Sequence, residues 1–252
     1  MTFMAASSLR LKPWVVFDMD GVLVDVHGSY RRAIQRTVVH FGGDEPAPAE
    51  VQAIKNLGGF NNDWDVTHEL LRRRGIQVPC AEIPPAFDGF YIGRRNQGVW
   101  EGLIAGERWL LAPSKLAQLA AHYQLAIFTG RPREHAEYVL RRFQTASAFA
   151  RLLVMEDVVQ GKPHPEGLER LRAEFAPAPI AAYIGDTIDD ARCAASSGTR
   201  FIGILPRTHS THDELRALFT AAGCCVIVED VNQAADWLCR AAARLQMSPT
   251  GS

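Results

Sequence analysis

From residue 113 onward the chain alternates amphipathic helical segments with short, continuously apolar runs, and this alternation leaves few folds open to it. Helical spacing over 113–123, 134–143, 166–175, 189–197 and 212–222 is followed each time by an apolar run, at 125–128, 152–154, 181–184, 201–204 and 225–228. A closing helix is expected over 232–245. Strands that are apolar on both faces and separated by helices belong to right-handed crossovers and a parallel sheet covered on both sides. A further run of this kind, Trp14-Val15-Val16-Phe17, lies far upstream. Between it and the rest, residues 26–106 read as helices and loops without a strand, with helical spacing near 29–41, 51–57 and 63–75 and around Phe87, Phe90 and Tyr91. Ser29 stands where it can cap the first of these helices, and Asn61 and Asn62 where they can cap the third. The expected architecture is α/β: a doubly wound, Rossmann-like parallel-sheet core formed by 1–25 and 107–252, with an all-helical cap inserted at 26–106. Hinges are expected near Val26 and Gly106.

Composition narrows the partners. A net charge of −1, with 47% hydrophobic and 22% charged residues, describes an ordinary globular protein and gives no case for a nucleic-acid or membrane surface. The five cysteines are odd in number and contain no C-x-x-C, so neither a disulfide framework nor a zinc site is indicated, and a reducing, cytoplasmic setting is expected. The first dozen residues lack the apolar stretch of a signal peptide, and residues 248–252 read as a frayed tail. Arginines outnumber lysines by 23 to 4, a bias without a physical reading here.

The chemistry is expected just beyond the strand ends, where ligands of open parallel sheets collect. The first strand stops at Asp18-Met19-Asp20-Gly21. On an extended chain the two carboxylates project to one side, and so close a pair needs a cation or a shared proton. Gly21 permits the tight turn that follows. A calcium loop starting at Asp18 is excluded by Val22 and Ser29 at its fifth and twelfth positions and by the strand in front. After the next strand, Thr129-Gly130-Arg131-Pro132 offers a hydroxyl and free amides as an anion seat. Lys162, set between Gly161 and Pro163, is placed to aim an ammonium at phosphate or at the carboxylates. Gly185-Asp186-Thr187-Ile188-Asp189-Asp190 brings three further acids to a strand end. One such aspartate is easily an N-cap; three are harder to explain that way.

Taken in order, D-x-D, Thr, Lys and G-D-x-x-x-D resemble the haloacid dehalogenase superfamily, and the position of the insert resembles its phosphoglycolate phosphatase and β-phosphoglucomutase branch. The resemblance implies a Mg²⁺-dependent phosphatase acting on a small phosphorylated metabolite. Asp18 would be the nucleophile that forms an aspartyl-phosphate, and Asp20 the general acid and base. Asp18, Asp20 and Asp186, with Asp190 as direct or indirect support, would hold the metal; Thr129, Gly130 and Lys162 would hold the phosphoryl oxygens, with Arg131 a further contact. An acid at position 20 speaks for ester cleavage, since a halide leaves without a proton. Three readings stay open beside it: a phosphomutase, a phosphonate hydrolase using Lys55 as a Schiff base, and a non-catalytic phospho-ligand-binding protein. Lys55 reads more readily as a surface residue at a helix end, and 56–62 either as a loop reaching the leaving group or as a plain interhelical turn. A monomer or homodimer is expected.

Overall fold

A computed structural model describes residues 11–247. The readings of the N-terminal residues 1–10 and of the tail 248–252 lie outside the described residues. In chain order the elements begin with β1 (Trp14–Phe17), β2 (Val24–Asp25), α1 (Tyr30–His40), α2 (Pro48–Leu57), α3 (Asp63–Arg73) and α4 (Ile83–Tyr91). There follow β3 (Arg95–Asn96), β4 (Val99–Trp100), β5 (Arg108–Trp109), α5 (Pro113–His122), β6 (Gln124–Phe128), α6 (Arg133–Arg142) and β7 (Arg151–Leu153). The chain closes with α7 (Glu166–Phe175), β8 (Ile180–Gly185), α8 (Ile188–Ser196), β9 (Phe201–Ile204), α9 (His212–Ala221), β10 (Val226–Val228) and α10 (Val231–Met247).

Six strands form one sheet in the order β10-β9-β8-β1-β6-β7, and every pairing in it is parallel. The alternation of β1 divides its side chains between the two faces. Val15 and Phe17 join a core that includes Leu119 of α5, Val139 of α6 and Ala234 of α10. Trp14 and Val16 join a second core with Leu168 of α7, Ala191 of α8 and Leu215 of α9. Each fully buried Val, Leu or Phe side chain among them contributes roughly 1.5–3 kcal/mol. This two-sided burial explains why the strands read as unbroken apolar runs rather than alternating ones. It also puts β1 centrally, so that the residues after β1, β6 and β8 emerge side by side.

The inserted segment is helical as expected, with one addition. Arg95–Asn96 and Val99–Trp100 pair as an antiparallel ribbon, turned by Gln97 and Gly98 at φ 47° and 83°. Two positive φ values in a two-residue loop are what tight hairpins require. The insert's apolar faces (Ile34, Val51, Val66, Leu70, Phe87) are continuous with the core on the Phe17 face. Where the chain leaves and re-enters the sheet domain, β2 and β5 pair through Val24 with Trp109 and Asp25 with Arg108. Ser29 does not cap α1: its hydroxyl donates to Glu107 at 2.7 Å and makes no cap hydrogen bond. Asn62 does cap α3, accepting the Trp64 amide at 2.9 Å. No helix among the described residues is long and apolar enough to cross a membrane.

Candidate active site

Neighbouring strands bring the distant acids together. Asp18 follows β1 and Asp186 follows β8, and these strands run in register with Phe17 beside Ile184. One carboxylate oxygen from each of Asp18, Asp186 and Asp190 falls within 4.8 Å of the others. Asp190 sits in the first turn of α8, where Thr187 and Asp190 cap the helix reciprocally. Its Oδ2 accepts from the Thr187 hydroxyl at 2.7 Å and from the amides of Asp186 and Thr187. Its Oδ1 accepts from the Tyr183 hydroxyl at 2.6 Å and from Lys162 at 2.7 Å.

Lys162 is buried among these groups and spends its three protons on Asp18 at 2.9 Å, Asp190, and the Tyr183 hydroxyl at 3.0 Å. Burial works against its charge, but Asp18 and Asp190 outweigh burial and raise its pKa, so the side chain stays an ammonium. Burial also opposes the charge of Asp190, yet Lys162 and the hydrogen bonds hold its pKa below the usual carboxylate range. Asp18 is less well compensated: burial, with Asp190, Asp20 and Asp186 beside it, carries its pKa well above normal despite Lys162. Burial first, and then the Asp190 charge, raise Asp186 to about 7, with Arg31 and Lys55 opposing. One ammonium among so many carboxylates leaves the cluster short of positive charge.

Asp20 lies on the same cleft but has its own partner. Arg131 reaches its Oδ1 from Nε at 2.6 Å and from a terminal nitrogen at 2.5 Å. The rest of the guanidinium is taken by Glu107 and the Tyr91 hydroxyl. The anion seat after β6 is buried: Thr129 accepts the Arg131 amide at 3.2 Å, and Gly130 lies against the insert. A Cβ on Gly130 would fall 2.2 Å from the Asn61 amide nitrogen.

The insert roofs the site. Asn61, Asn62, Asp63 and Lys55 line one cleft with Asp18 and Asp186. The loop between α2 and α3 is fastened to the sheet domain through the Gly59 amide, which both oxygens of Asp189 accept at 2.8 and 3.0 Å. Residues 56–62 are therefore an interhelical turn that also covers the acids. Lys55 is not a surface residue: it is paired with Asp63 at 2.6 Å inside the cleft. Burial opposes its charge, but Asp63 prevails and its pKa is raised, so it is a cation rather than the neutral amine a Schiff base needs.

Three residues that matter here carry no site signal in the sequence. Tyr183 read as strand core, although a tyrosine inside an apolar strand needs a partner for its hydroxyl. Glu107 and Arg31 carry no local pattern, and only the fold brings them to the site; Asp189, one of the three acids after β8, holds the Gly59 amide of the insert.

A parallel sheet thus gathers a carboxylate cluster and a buried lysine beyond its strand ends. The sequence pattern of haloacid dehalogenase-like hydrolases matches residues 13–198, and the chain belongs to that family. Its similarity to a Phytophthora nicotianae imidazoleglycerol-phosphate dehydratase is 33% identity over 78% of this chain, which spans only 44% of that protein's length. A Yersinia pseudotuberculosis phosphoglycolate phosphatase is 29% identical over 75% of this chain and 79% of its own. A crystal structure from Haemophilus somnus, described as a predicted phosphoglycolate phosphatase, superposes with TM-score 0.67 at 19% identity, covering 92% of this chain and 99% of the other. At that identity the likeness speaks for the fold alone.

Proposed function

We propose that the protein is a Mg²⁺-dependent phosphatase that hydrolyses a small phosphorylated metabolite through an aspartyl-phosphate on Asp18. The observation that carries this reading is the convergence of one oxygen each from Asp18, Asp186 and Asp190 within 4.8 Å, with the Lys162 ammonium on Asp18 and Asp190, under an inserted roof. The Asp18 carboxylate attacks phosphorus in line, and Asp20 gives its proton to the departing alkoxide. Asp20 then takes a proton from the water that cleaves the phosphoryl group from Asp18. Lys162, the Thr129 hydroxyl and the Gly130 amide hold the phosphoryl oxygens. Residues 26–106 serve as a cap over a core of 1–25 and 107–252, closing to exclude water.

The donor set fits Mg²⁺, an ion that prefers oxygen ligands. Asp186 is short of positive partners, and the glycine at position 21 (φ 70°) leaves the space it approaches: a Cβ there would stand 1.9 Å from Asp186 Oδ2. Asp18, Asp186 and the Asp20 main-chain carbonyl would hold the ion, which neutralises charge on the transferring phosphoryl group. Both oxygens of Asp190 are already committed to protein donors, so it supports Lys162 and the Asp186 loop instead of binding metal directly.

A pH dependence follows with a definite sign. A carboxyl raised to about 7 in the folded state favours the fold while protonated, so metal-free stability declines as pH rises from the ordinary carboxylate range to about 7. Mg²⁺ competes with those protons and repairs that loss. The rise in melting temperature on saturating Mg²⁺ is therefore expected to be larger at about pH 8 than at about pH 5.5, by differential scanning fluorimetry. An equal rise at both would count against the metal site.

Substrate choice falls to the roof. Arg31 lines the cleft with Asp18 and Asp20 and makes no side-chain hydrogen bond or ion pair among the described residues, whereas Lys55 is held by Asp63. A guanidinium in the cleft with no hydrogen-bonded carboxylate of its own suits a second anionic group on the substrate, so phosphorylated carboxylic acids should outpace neutral sugar phosphates. The named activity of the phosphoglycolate phosphatase relatives agrees with this. The test is a panel of phosphorylated metabolites with and without Mg²⁺. Arg31→Leu is expected to raise KM for the preferred phospho-acid about 10-fold or more, the loss of one charge-assisted contact. An unchanged KM would remove Arg31 from the site.

A further inference from the structure

Asp20 needs a fixed direction if it is to reach a leaving-group oxygen, and it stands on a turn with its side chain 31% exposed. Both contacts that the protein makes to it fall on Oδ1, at 2.5 and 2.6 Å, and both come from Arg131. Oδ2 has no hydrogen-bond partner among the described residues. Two nitrogens of one rigid planar group anchor that one oxygen and leave the other without a protein partner, on a residue that lines the cleft.

Arg131 is itself immobilised. Its side chain has no exposed surface, and Glu107, equally buried, accepts from both terminal nitrogens at 3.2 Å. The Tyr91 hydroxyl accepts from Arg131 at 2.9 Å and donates to Glu107 at 3.0 Å, while the Ser29 hydroxyl donates to Glu107 at 2.7 Å. The Tyr30 ring lies 4.8 Å from the guanidinium carbon. No donor remains for a substrate, which argues against the direct phosphate contact expected from sequence. A buried charge in so closed a setting is held there by function or by specificity, since apolar residues would serve stability as well.

We infer that Arg131 is a positioning residue for the general acid: backed by Glu107, it clamps Oδ1 of Asp20 so that Oδ2 faces the leaving group. The inference rests on the phosphatase reading. It makes Arg131 matter where the leaving group needs a proton and far less where it does not. The residues that brace Arg131 come from the inserted segment and its linkers, so the acid is set only when the insert sits as described.

The experiment compares an alkyl ester, 2-phosphoglycolate, with p-nitrophenyl phosphate, whose phenolate leaves without help. In Arg131→Gln the loss of kcat on the alkyl ester is expected to exceed the loss on the aryl ester by about 10²-fold, the usual contribution of a general acid. Asp20→Asn should show the same pattern, and Arg131→Lys, which keeps the charge without the fork, should fall between. Because Glu107 would be left alone in Arg131→Gln, the double variant Arg131→Gln/Glu107→Gln is measured beside it; both partners are then neutral and the same leaving-group dependence is expected. Equal losses on both esters in the folded double variant, or a change confined to KM, would overturn the inference while leaving the phosphatase reading intact. Hydrolysis of neither ester, nor of any member of the phosphorylated-metabolite panel, by the unmodified protein with Mg²⁺ would overturn both.

Discussion

Asp18→Asn is expected to lower turnover on the order of 10⁴-fold or more while leaving the fold in place. The amide matches the carboxylate in shape but cannot attack phosphorus, so no covalent intermediate forms. Stability should not suffer. Burial and three neighbouring carboxylates push the Asp18 pKa well above its ordinary value, so a neutral group relieves repulsion in the metal-free protein. Lys162 keeps Asp190 and Tyr183 as partners. Thermal unfolding without Mg²⁺ is expected to give a midpoint equal to or above that of the parent. Retained activity would contradict the nucleophile assignment, and a lower midpoint would contradict the charge account.

Lys162→Met is expected to cost both activity and stability. The substitution strands Asp18 and Asp190 as buried carboxylates in contact with no cation, an arrangement that costs about 3–5 kcal/mol. Turnover should drop by about 10²–10³-fold, the usual loss when one fixed donor to developing charge is removed. The stability loss carries a pH signature. Stranded carboxyls have raised folded-state pKa values, so the folded form is favoured at low pH and loses ground as pH rises through those values. Urea midpoints of the variant should thus lie closer to the parent at about pH 5 than at about pH 8. A gap that is constant with pH would mean that packing, not charge, holds Lys162 in place.

The sheet was legible in the sequence because its six strands are short and mostly apolar on both faces, and the last five are separated by helices of ordinary length. Val16, packed on one face, and Phe17, on the other, need no alternation with polar residues, and an uninterrupted run is the simplest of signals. The β3–β4 ribbon was not legible, since two residues per strand, mostly exposed, carry no pattern beyond the Gln97-Gly98 turn. Ser29 carried the right cap chemistry and was put to another use, because a buried Glu107 nearby needs donors more than a solvated helix end does. The acids and Lys162 could be picked out because each follows a strand. Their meeting depends on β1 lying between β6 and β8, an order that spacing along the chain does not encode. For the same reason the reach of Arg131 to Asp20, and the entry of Lys55 into the cleft, emerged only in three dimensions.

The expectations for activity depend on Asp18 receiving the phosphoryl group. The most direct measurement is a crystal structure of the protein with Mg²⁺ and beryllium trifluoride, a stable mimic of a phosphoryl group on an aspartate. The expected result is beryllium bonded to a carboxylate oxygen of Asp18, with Thr129 and Lys162 at its fluorines and the metal shared with Asp186. Beryllium fluoride bonded to any other carboxylate, or Mg²⁺ bound away from Asp186, would contradict it.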